Sequence, residues 1–99
     1  MTDGAVEIKQ EDDGDKGRYV LEMPDGREAE LTYVKNGADH LLVDYTFVPP
    51  PFRGRGVAER LVRHVVEEAR VNGFTITPLC GYVAAEFRRH PQWADVLKR

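Results

Sequence analysis

The N-terminal half of the chain alternates polar and apolar residues with a period of two, which is typical of β-strands. Val6 and Ile8 alternate with charged neighbours and predict a short, half-buried first strand, followed by a turn or mobile loop from Glu11 to Asp15. Two further strands are predicted from Arg18 to Met23 and from Glu28 to Lys35. Each places three core-type residues on one face: Tyr19, Leu21 and Met23 in the first, and Ala29, Leu31 and Tyr33 in the second.

Two turn sequences follow the second and third strands. Pro24-Asp25-Gly26 predicts a tight turn, because proline presets φ and glycine accepts a positive φ. Asn36-Gly37 predicts a hairpin, since both residues tolerate positive φ. The fourth strand, from His40 to Val48, contains the apolar run Leu41 to Val43, which indicates a central strand covered on both faces.

After the fourth strand the apolar period changes to that of a helix. A helix is predicted from Arg55 to Asn72, with Gly73 as its left-handed cap. Its apolar stripe consists of Ala58, Leu61, Val62, Val65, Val66 and Ala69. The next strand, Phe74 to Cys80, must run parallel to the fourth because a whole helix separates them. Pro78 has no N–H, so it suits an edge or a place where neighbouring strands part.

The C-terminal segment predicts a second helix from Gly81 to His90, ended by Pro91, with Val83, Ala84 and Phe87 facing inward. A last turn with Trp93, Val96 and Leu97 is expected to cover the core. The sequence therefore predicts a single α+β domain over residues 1–99, built on one mixed sheet. Its order is a four-stranded antiparallel meander, a helix, a parallel fifth strand and a closing helix.

Composition narrows the class of protein. With 41% hydrophobic and 31% charged residues the chain reads as an ordinary globular protein, and no apolar run is long enough to span a membrane. A net charge of −3 argues against nucleic acid as a partner. The lone Cys80 excludes an internal disulfide and leaves too few soft ligands for zinc, and His40 and His64 lack partners at metal-binding spacing, so no metal is expected. The acidic N-terminus has no apolar leader segment, which favours a cytoplasmic location.

The stretch Arg53-Gly54-Arg55-Gly56 lies between the fourth strand and the long helix. Glycines there let the backbone approach a ligand closely, and the first N–H groups of the helix are free to bind an anion. We call residues Gly54 to Ala58 the anion cradle, and phosphate or pyrophosphate is its expected guest. It is not a Walker A loop, and Glu59 stands where a dinucleotide fingerprint has its third glycine.

These residues resemble a known family. Arg53-Gly54-Arg55-Gly56-Val57-Ala58 is similar to the Arg/Gln-x-x-Gly-x-Gly/Ala motif of the GNAT superfamily of N-acetyltransferases. Four further segments resemble its small single-domain YjdJ-like group: Val48-Pro49-Pro50, Pro78-Leu79-Cys80, Val83-Ala84-Ala85 and Arg89-His90-Pro91. The resemblance extends from Tyr19 to Leu97 and implies a minimal, three-layer-like GNAT fold.

The resemblance implies acetyl-coenzyme A as cosubstrate, bound where the fourth and fifth strands part. The residues implied to bind it are Thr46, Phe47, Val48, Arg53, Gly54, Arg55, Gly56, Val57, Ala58 and Tyr82. Cradle amides would hold the pyrophosphate, and the end of the fourth strand would pair with the pantetheine amides. A free N–H beside Phe47 or Val48 would stabilise the oxyanion. Tyr82 is the phenol nearest to the region where many GNAT enzymes carry a tyrosine proton donor, a region that here holds Phe87 and Arg88.

Two residues are candidates for catalysis. Cys80 would lie near the thioester, where it could protonate the leaving thiolate or briefly accept the acetyl group, and the alternative is a small core residue. Tyr45 occupies the place where the small group often has histidine, and it is either a catalyst or a core or platform residue. The basic helix end from Arg88 to His90 either complements the helix dipole or contacts a cofactor phosphate.

The expected function is acetyl transfer from acetyl-coenzyme A to a primary amine, on a small molecule or a protein. The alternative is a module that binds coenzyme A or an acyl form without turnover. A nucleic-acid binder using Arg53, Arg55, Arg60 and Arg63 is disfavoured, because no aromatic residues are interleaved with the arginines. A monomer is expected, or a weak homodimer through the edge strand that ends at Cys80.

Overall fold

A computed structural model describes residues 7–98 of the chain. Its strands and helices, in chain order, are β1 (Lys9–Asp12), β2 (Lys16–Glu22), β3 (Glu28–Lys35), β4 (His40–Phe47), α1 (Val57–Asn72), β5 (Thr75–Pro78) and α2 (Gly81–Arg89). Two 3-10 turns, Pro50–Phe52 and Pro91–Val96, precede α1 and follow α2. The five strands form one sheet in the order β1-β2-β3-β4-β5, antiparallel except for β5, which is parallel to β4. The predicted α+β class and strand directions are confirmed.

The first strand differs from the prediction. Val6 lies outside the described residues, and Ile8 precedes β1 rather than belonging to it. Glu11 and Asp12, predicted as a loop, are the end of β1 and pair with Arg18 and Gly17 of β2. Their charges find partners within the sheet, and this is why an acidic pair extends a strand here. The turn itself is confined to the residues between β1 and β2.

The core lies between one face of the sheet and the helices. The inward faces predicted for β2 and β3 are confirmed, since all six of their core-type residues are at most 6% exposed. From α1, Leu61, Val62, Val65 and Val66 are fully buried against them. The C-terminal turn covers the core as expected: Trp93 packs edge-to-face on Phe87 with ring centroids 5.7 Å apart.

Strand β4 contains a bulge. Val43 pairs with Tyr33 and Tyr45 with Thr32, so Asp44 is an extra residue, and its carboxylate accepts a 2.6 Å hydrogen bond from Thr32. The prediction that β4 is covered on both faces is wrong, because Leu42 on the outer face is only half-buried.

The outer face is polar. Arg18 lies at its centre and forms ion pairs of 2.9–3.1 Å with three carboxylates, those of Glu11, Glu28 and Glu30. Among residues 7–98 the molecule thus has two layers, the sheet and one layer of helices, and the third layer implied by the resemblance has no counterpart there.

The elements after β4 are shorter than predicted at some ends. Helix α1 begins at Val57 and stops at Gly73, which has φ 78° as expected. Strand β5 ends at Pro78, since the following residues turn into α2. On α2 the third inward residue is Glu86, at 1% exposure, while Ala84 is only half-buried. No helix in the described part of the chain is both long and apolar enough to cross a membrane.

Candidate functional site

Strands β4 and β5 separate after Val43 and Pro78, the last two residues that pair between them. The N–H groups of Leu79 and Cys80 both donate to the Val43 carbonyl, at 2.8 and 3.1 Å, and the chain then turns into α2. Strand β4 continues to Phe47 with no described strand on that side. The proline therefore stands where the two strands separate, one of the two places its missing donor allows.

The anion cradle faces this gap with its amides free. Gly54 and Gly56 have φ 78° and 79°, in the left-handed region that favours glycine. Gly56 is the N-cap of α1, and its carbonyl accepts the first helical hydrogen bond from Arg60 at 3.0 Å. Within residues 7–98, no acceptor is hydrogen-bonded to the backbone N–H groups of residues 54–59. These amides and the positive end of α1 form a site suited to an anion.

A cleft of about 490 Å³ joins the cradle to the free end of β4. Its walls are formed by Tyr45, Thr46, Phe47, Val48, Phe52, Arg53, Gly54, Gly56, Val57, Ala58 and Tyr82. The structure thus brings together every predicted site residue except Cys80 and Arg55, and it adds Phe52. A larger groove of about 720 Å³ adjoins the cleft at Phe52 and Val57, and its four glutamates outnumber its three cationic side chains.

The two loop arginines have different neighbours. Arg53 donates from Nε to the Val48 carbonyl at 2.8 Å and lies 5.8 Å from the Phe47 ring centroid. It therefore fixes the cradle to the end of β4, and it occupies the Val48 carbonyl that was expected to pair with pantetheine. Arg55 instead lies over Phe52, 5.8 Å from its centroid, and contributes to the larger groove.

Cys80 is the N-cap of α2 and lies behind the cleft wall. Its Sγ is 3.6 Å from Oγ1 of Thr46, so the two side chains bridge the gap between the strands. Burial opposes ionisation of the thiol, but the N–H groups of Val83 and Tyr82 and the Thr46 hydroxyl outweigh it and lower the pKa of Cys80 from its ordinary value. Cys80 is half-buried and packs against the hydrophobic core, so both of its predicted roles, in catalysis and as a small core residue, stay predictions.

The two tyrosines lie at the mouth of the cleft. Tyr45 is 48% exposed, which makes the prediction of a core residue wrong and leaves its roles as platform or catalyst open. Tyr82 is 37% exposed, and its pKa is raised by partial burial and by the nearby charges of Glu86 and Glu59. The cleft lining contains no histidine or carboxylate, and the two carboxylates near Tyr82 lie outside that lining.

Glu59 and Glu86, which lie beside Tyr82, were not predicted as site residues. The available signal was spacing: Glu86 follows Val83 by three residues, which puts a carboxylate on the buried stripe of α2. Two residues of the basic helix end have partners within the protein. Arg89 pairs with Glu86, and His90 stacks on Trp93 with ring centroids 4.0 Å apart.

Comparison with known proteins agrees with this geometry. The family model for the GCN5-related N-acetyltransferases matches residues 18–96. The fold is similar to the NMR structure of a GCN5-like candidate N-acetyltransferase from Staphylococcus aureus, with a TM-score of 0.71 and 28% identity. That match covers 93% of this chain and 87% of the other. With a strand gap, a free helix mouth and a family match over most of its length, the chain belongs to the GCN5-related N-acetyltransferase family.

Proposed function

We propose that the protein transfers an acetyl group from acetyl-coenzyme A to a primary amine. The observation that carries this proposal is the row of free amides at the start of α1, opening into a cleft beside the unpaired end of β4. A diphosphate has the charge and the acceptor oxygens to satisfy those amides. An extended amide-containing arm attached to it could then pair with β4 as an added strand does.

The cleft residues fit such a cosubstrate in shape as well as charge. A Cβ built on Gly54 or Gly56 meets no atom within 4 Å, so the space in front of both glycines is open. Phe47, Val48 and Phe52 provide apolar wall area for the arm, while Arg53 holds the wall to the cradle.

The residues at the strand gap have chemistry suited to acyl transfer. As the amine nitrogen bonds to the acetyl carbon, the carbon–sulfur bond breaks, the amine loses a proton and the departing thiolate gains one. We assign the donation of that proton to Cys80, whose Sγ lies 3.6 Å from Thr46 of the cleft lining, because a thiol with a lowered pKa yields its proton readily to a more basic thiolate. The proton that the amine loses then restores the Cys80 thiol. A free N–H at the end of β4 would stabilise the oxyanion.

A second candidate function has its own supporting observation. The described cleft lining contains no histidine and no carboxylate, so it offers no conventional general base for the amine. A module that binds coenzyme A or acyl-coenzyme A without turnover would need none. We also propose that any acceptor is free to be bulky, since the cleft is open, and we keep the predictions of a cytoplasmic monomer or weak homodimer.

Thermal unfolding with coenzyme A, acetyl-coenzyme A and adenosine diphosphate tests the cradle before any acceptor is known. At a hundredfold excess over Kd, coenzyme A should raise Tm by about 10–20 °C for a domain of this size. Absence of any shift with all three ligands contradicts both candidate functions.

Release of free thiol from acetyl-coenzyme A, measured with a panel of primary amines, separates the two functions. Amine-dependent release supports the transferase. Saturable binding with no release from any amine, including peptide lysines, supports the binding module.

A further inference from the structure

Three potential metal ligands meet where the first turn of α1 faces the last turn of α2. They are Glu59, Glu86 and His90, and one ligand atom from each lies within 4.8 Å of the other two. We call them the acid–imidazole cluster. None of the three lines the cleft, so the cluster is separate from the site described above.

Glu86 has a buried oxygen that the described residues leave without a partner. Its side chain is only 2% exposed, and Oε2 is paired with Arg89. Oε1 is buried and has no hydrogen-bond partner in the described part of the chain. A buried carboxylate oxygen left in this way is costly and rare, so it indicates a position where a cation or donor belongs.

His90 presents its second nitrogen in the form that metals bind. Nδ1 is 2.9 Å from the Glu86 carbonyl, to which it donates, so Nε2 is the nitrogen that carries the lone pair in the neutral ring. Histidine ligands commonly fix their tautomer by such a bond to a backbone carbonyl. Stacking on Trp93, with the rings 12° from parallel, holds the imidazole in orientation.

The distances suit a small ion. His90 Nε2 lies 3.5 Å from Oε2 of Glu59, which is about the separation of two ligands around tetrahedral Zn²⁺ with bonds of roughly 2.0–2.2 Å. Glu59 is half-buried, with 38% of its side chain exposed, and its carboxylate can move toward the ion, whereas Glu86 is fixed by burial.

The existing counter-charges do not exclude a metal. Arg63 pairs with Glu59 at 2.8 Å, and Arg89 pairs with Glu86, but their side chains are 58% and 65% exposed. The pair between Arg63 and Glu59 is accessible to solvent on both sides, and such pairs are weak and can be given up for a stronger partner. Arg89, moreover, uses Oε2 of Glu86, and Oε1 has no hydrogen bond in the described part of the chain, with Nδ1 of His90 3.7 Å away.

We propose that Glu59, Glu86 and His90 bind one divalent transition-metal ion such as Zn²⁺. One imidazole nitrogen and two carboxylates suit Zn²⁺ and its neighbours, while Mg²⁺ and Ca²⁺ prefer all-oxygen ligands. Three protein ligands leave one position open to water or another ligand. No sequence motif predicts the site, because Glu59 comes from a different helix and only Glu86 and His90, four residues apart, share a regular spacing.

Trp93 provides a direct readout, because it is the single tryptophan and is stacked on the ligand imidazole. The full chain, stripped of metal with a chelator, is titrated with Zn²⁺ and with Co²⁺, following tryptophan emission, Tm and bound metal per chain. One equivalent should bind, Co²⁺ should quench Trp93, and Zn²⁺ should raise Tm, while Mg²⁺ does neither.

Variants assign the ligands. Glu59→Gln keeps the size of a half-buried side chain and should fold. It and His90→Gln should weaken binding roughly 100-fold or more, since loss of even an outer partner of a metal ligand costs 10–100-fold. Glu68→Gln, on the same helix as Glu59, and Cys80→Ala should bind normally. Failure of the wild-type protein to retain Zn²⁺ at micromolar concentration overturns the proposal. So does unchanged binding by Glu59→Gln.

Discussion

Gly56 and Gly73 have nearly the same backbone conformation at opposite ends of α1, and this pair isolates the cradle at the scale of single residues. Their φ values are 79° and 78°, and an added Cβ would meet no atom within 4 Å at either position. A branched side chain therefore costs similar strain at both, about 1–2 kcal/mol. Only at Gly56 does it enter the space in front of the cradle.

We predict that Gly56→Val and Gly73→Val lose similar stability, but that only Gly56→Val loses the rise in Tm caused by coenzyme A. Denaturant midpoints measure the first quantity and thermal shifts the second. A normal rise in Tm with coenzyme A in Gly56→Val would show that the cradle is not part of the binding site.

Cys80 leads to a second prediction at this scale. Because the N–H groups of α2 and the Thr46 hydroxyl lower its pKa, alkylation by iodoacetamide should reach half its maximal rate at a lower pH in the folded protein than in the denatured chain. Thr46→Val removes one of these groups and should move that midpoint upward. If folded and denatured chains gave the same midpoint, the helix start would not activate the thiol.

The individual residues differ in how far the sequence could place them. The loop glycines were predictable, since a strand-to-helix turn with free amides needs positive φ. The pairing of Cys80 with Thr46 was not, because it depends on how far β4 and β5 separate. Glu86 was overlooked because a carboxylate between Ala85 and Phe87 reads as a solvent-facing residue until burial is known.

At the scale of elements, β3 has the predicted bounds, whereas β1 is held by a polar contact that the alternation of apolar and polar residues does not predict. Gly17 has no side chain, and a Cβ there would lie 2.5 Å from the Tyr33 hydroxyl. This lets Tyr33 reach across β2 and donate a 2.6 Å hydrogen bond to Asp12. Strand β1 is thus held by a hydrogen bond from β3, two strands away. The alternation of apolar residues predicts which face of a strand is buried, but it cannot predict such a contact.

We predict that this contact makes the sheet acid-sensitive. The Tyr33 hydroxyl, the Gly14 amide and Lys35 lower the pKa of Asp12 to about 2, from 3.8. A depressed carboxyl pKa adds stability above the unfolded value, and that stability is lost as pH falls from about 4 to about 2. Asp12→Asn should lower the urea midpoint of unfolding at pH 7. The midpoint of this variant should also fall less steeply than that of the wild type between about pH 4 and about pH 2.

Glu22→Gln, an exposed change at the end of β2, is the control for Asp12→Asn and should leave the profile unaltered. An identical pH profile for Asp12→Asn and the wild type would show that the Tyr33 contact carries no linked stability.

At the scale of the whole molecule, one helical layer covers one face of the sheet, and the C-terminal turn completes that layer. Trp93 is 4% exposed and contacts both Phe87 and His90. Arg70 of α1 ties the turn down through a bidentate pair with Asp95, at 2.9 and 3.0 Å. The apolar residues of this turn were readable from the sequence, but its ion pair to α1 depends on a contact between distant segments.

We predict that Trp93→Ala costs about 3–5 kcal/mol of unfolding free energy, a large part of the 5–15 kcal/mol of a typical domain. Val71→Ala, at a residue 77% exposed on α1, should change stability by less than about 0.5 kcal/mol. Guanidinium denaturation of both variants makes the comparison. Equal stability of the two would mean that the C-terminal turn is not part of the cooperative core.

The extra residue at Asp44 has a consequence for how this site can vary. Val43 and Tyr45, on either side of it, pair with consecutive residues of β3, Tyr33 and Thr32, so the pairing passes over Asp44. A chain lacking Asp44 would therefore keep Thr46 on the same face as Val43 and beside Cys80. It would lose only the local bend and the carboxylate that binds Thr32. A related protein can thus omit this residue and still present the same side chains to the cleft.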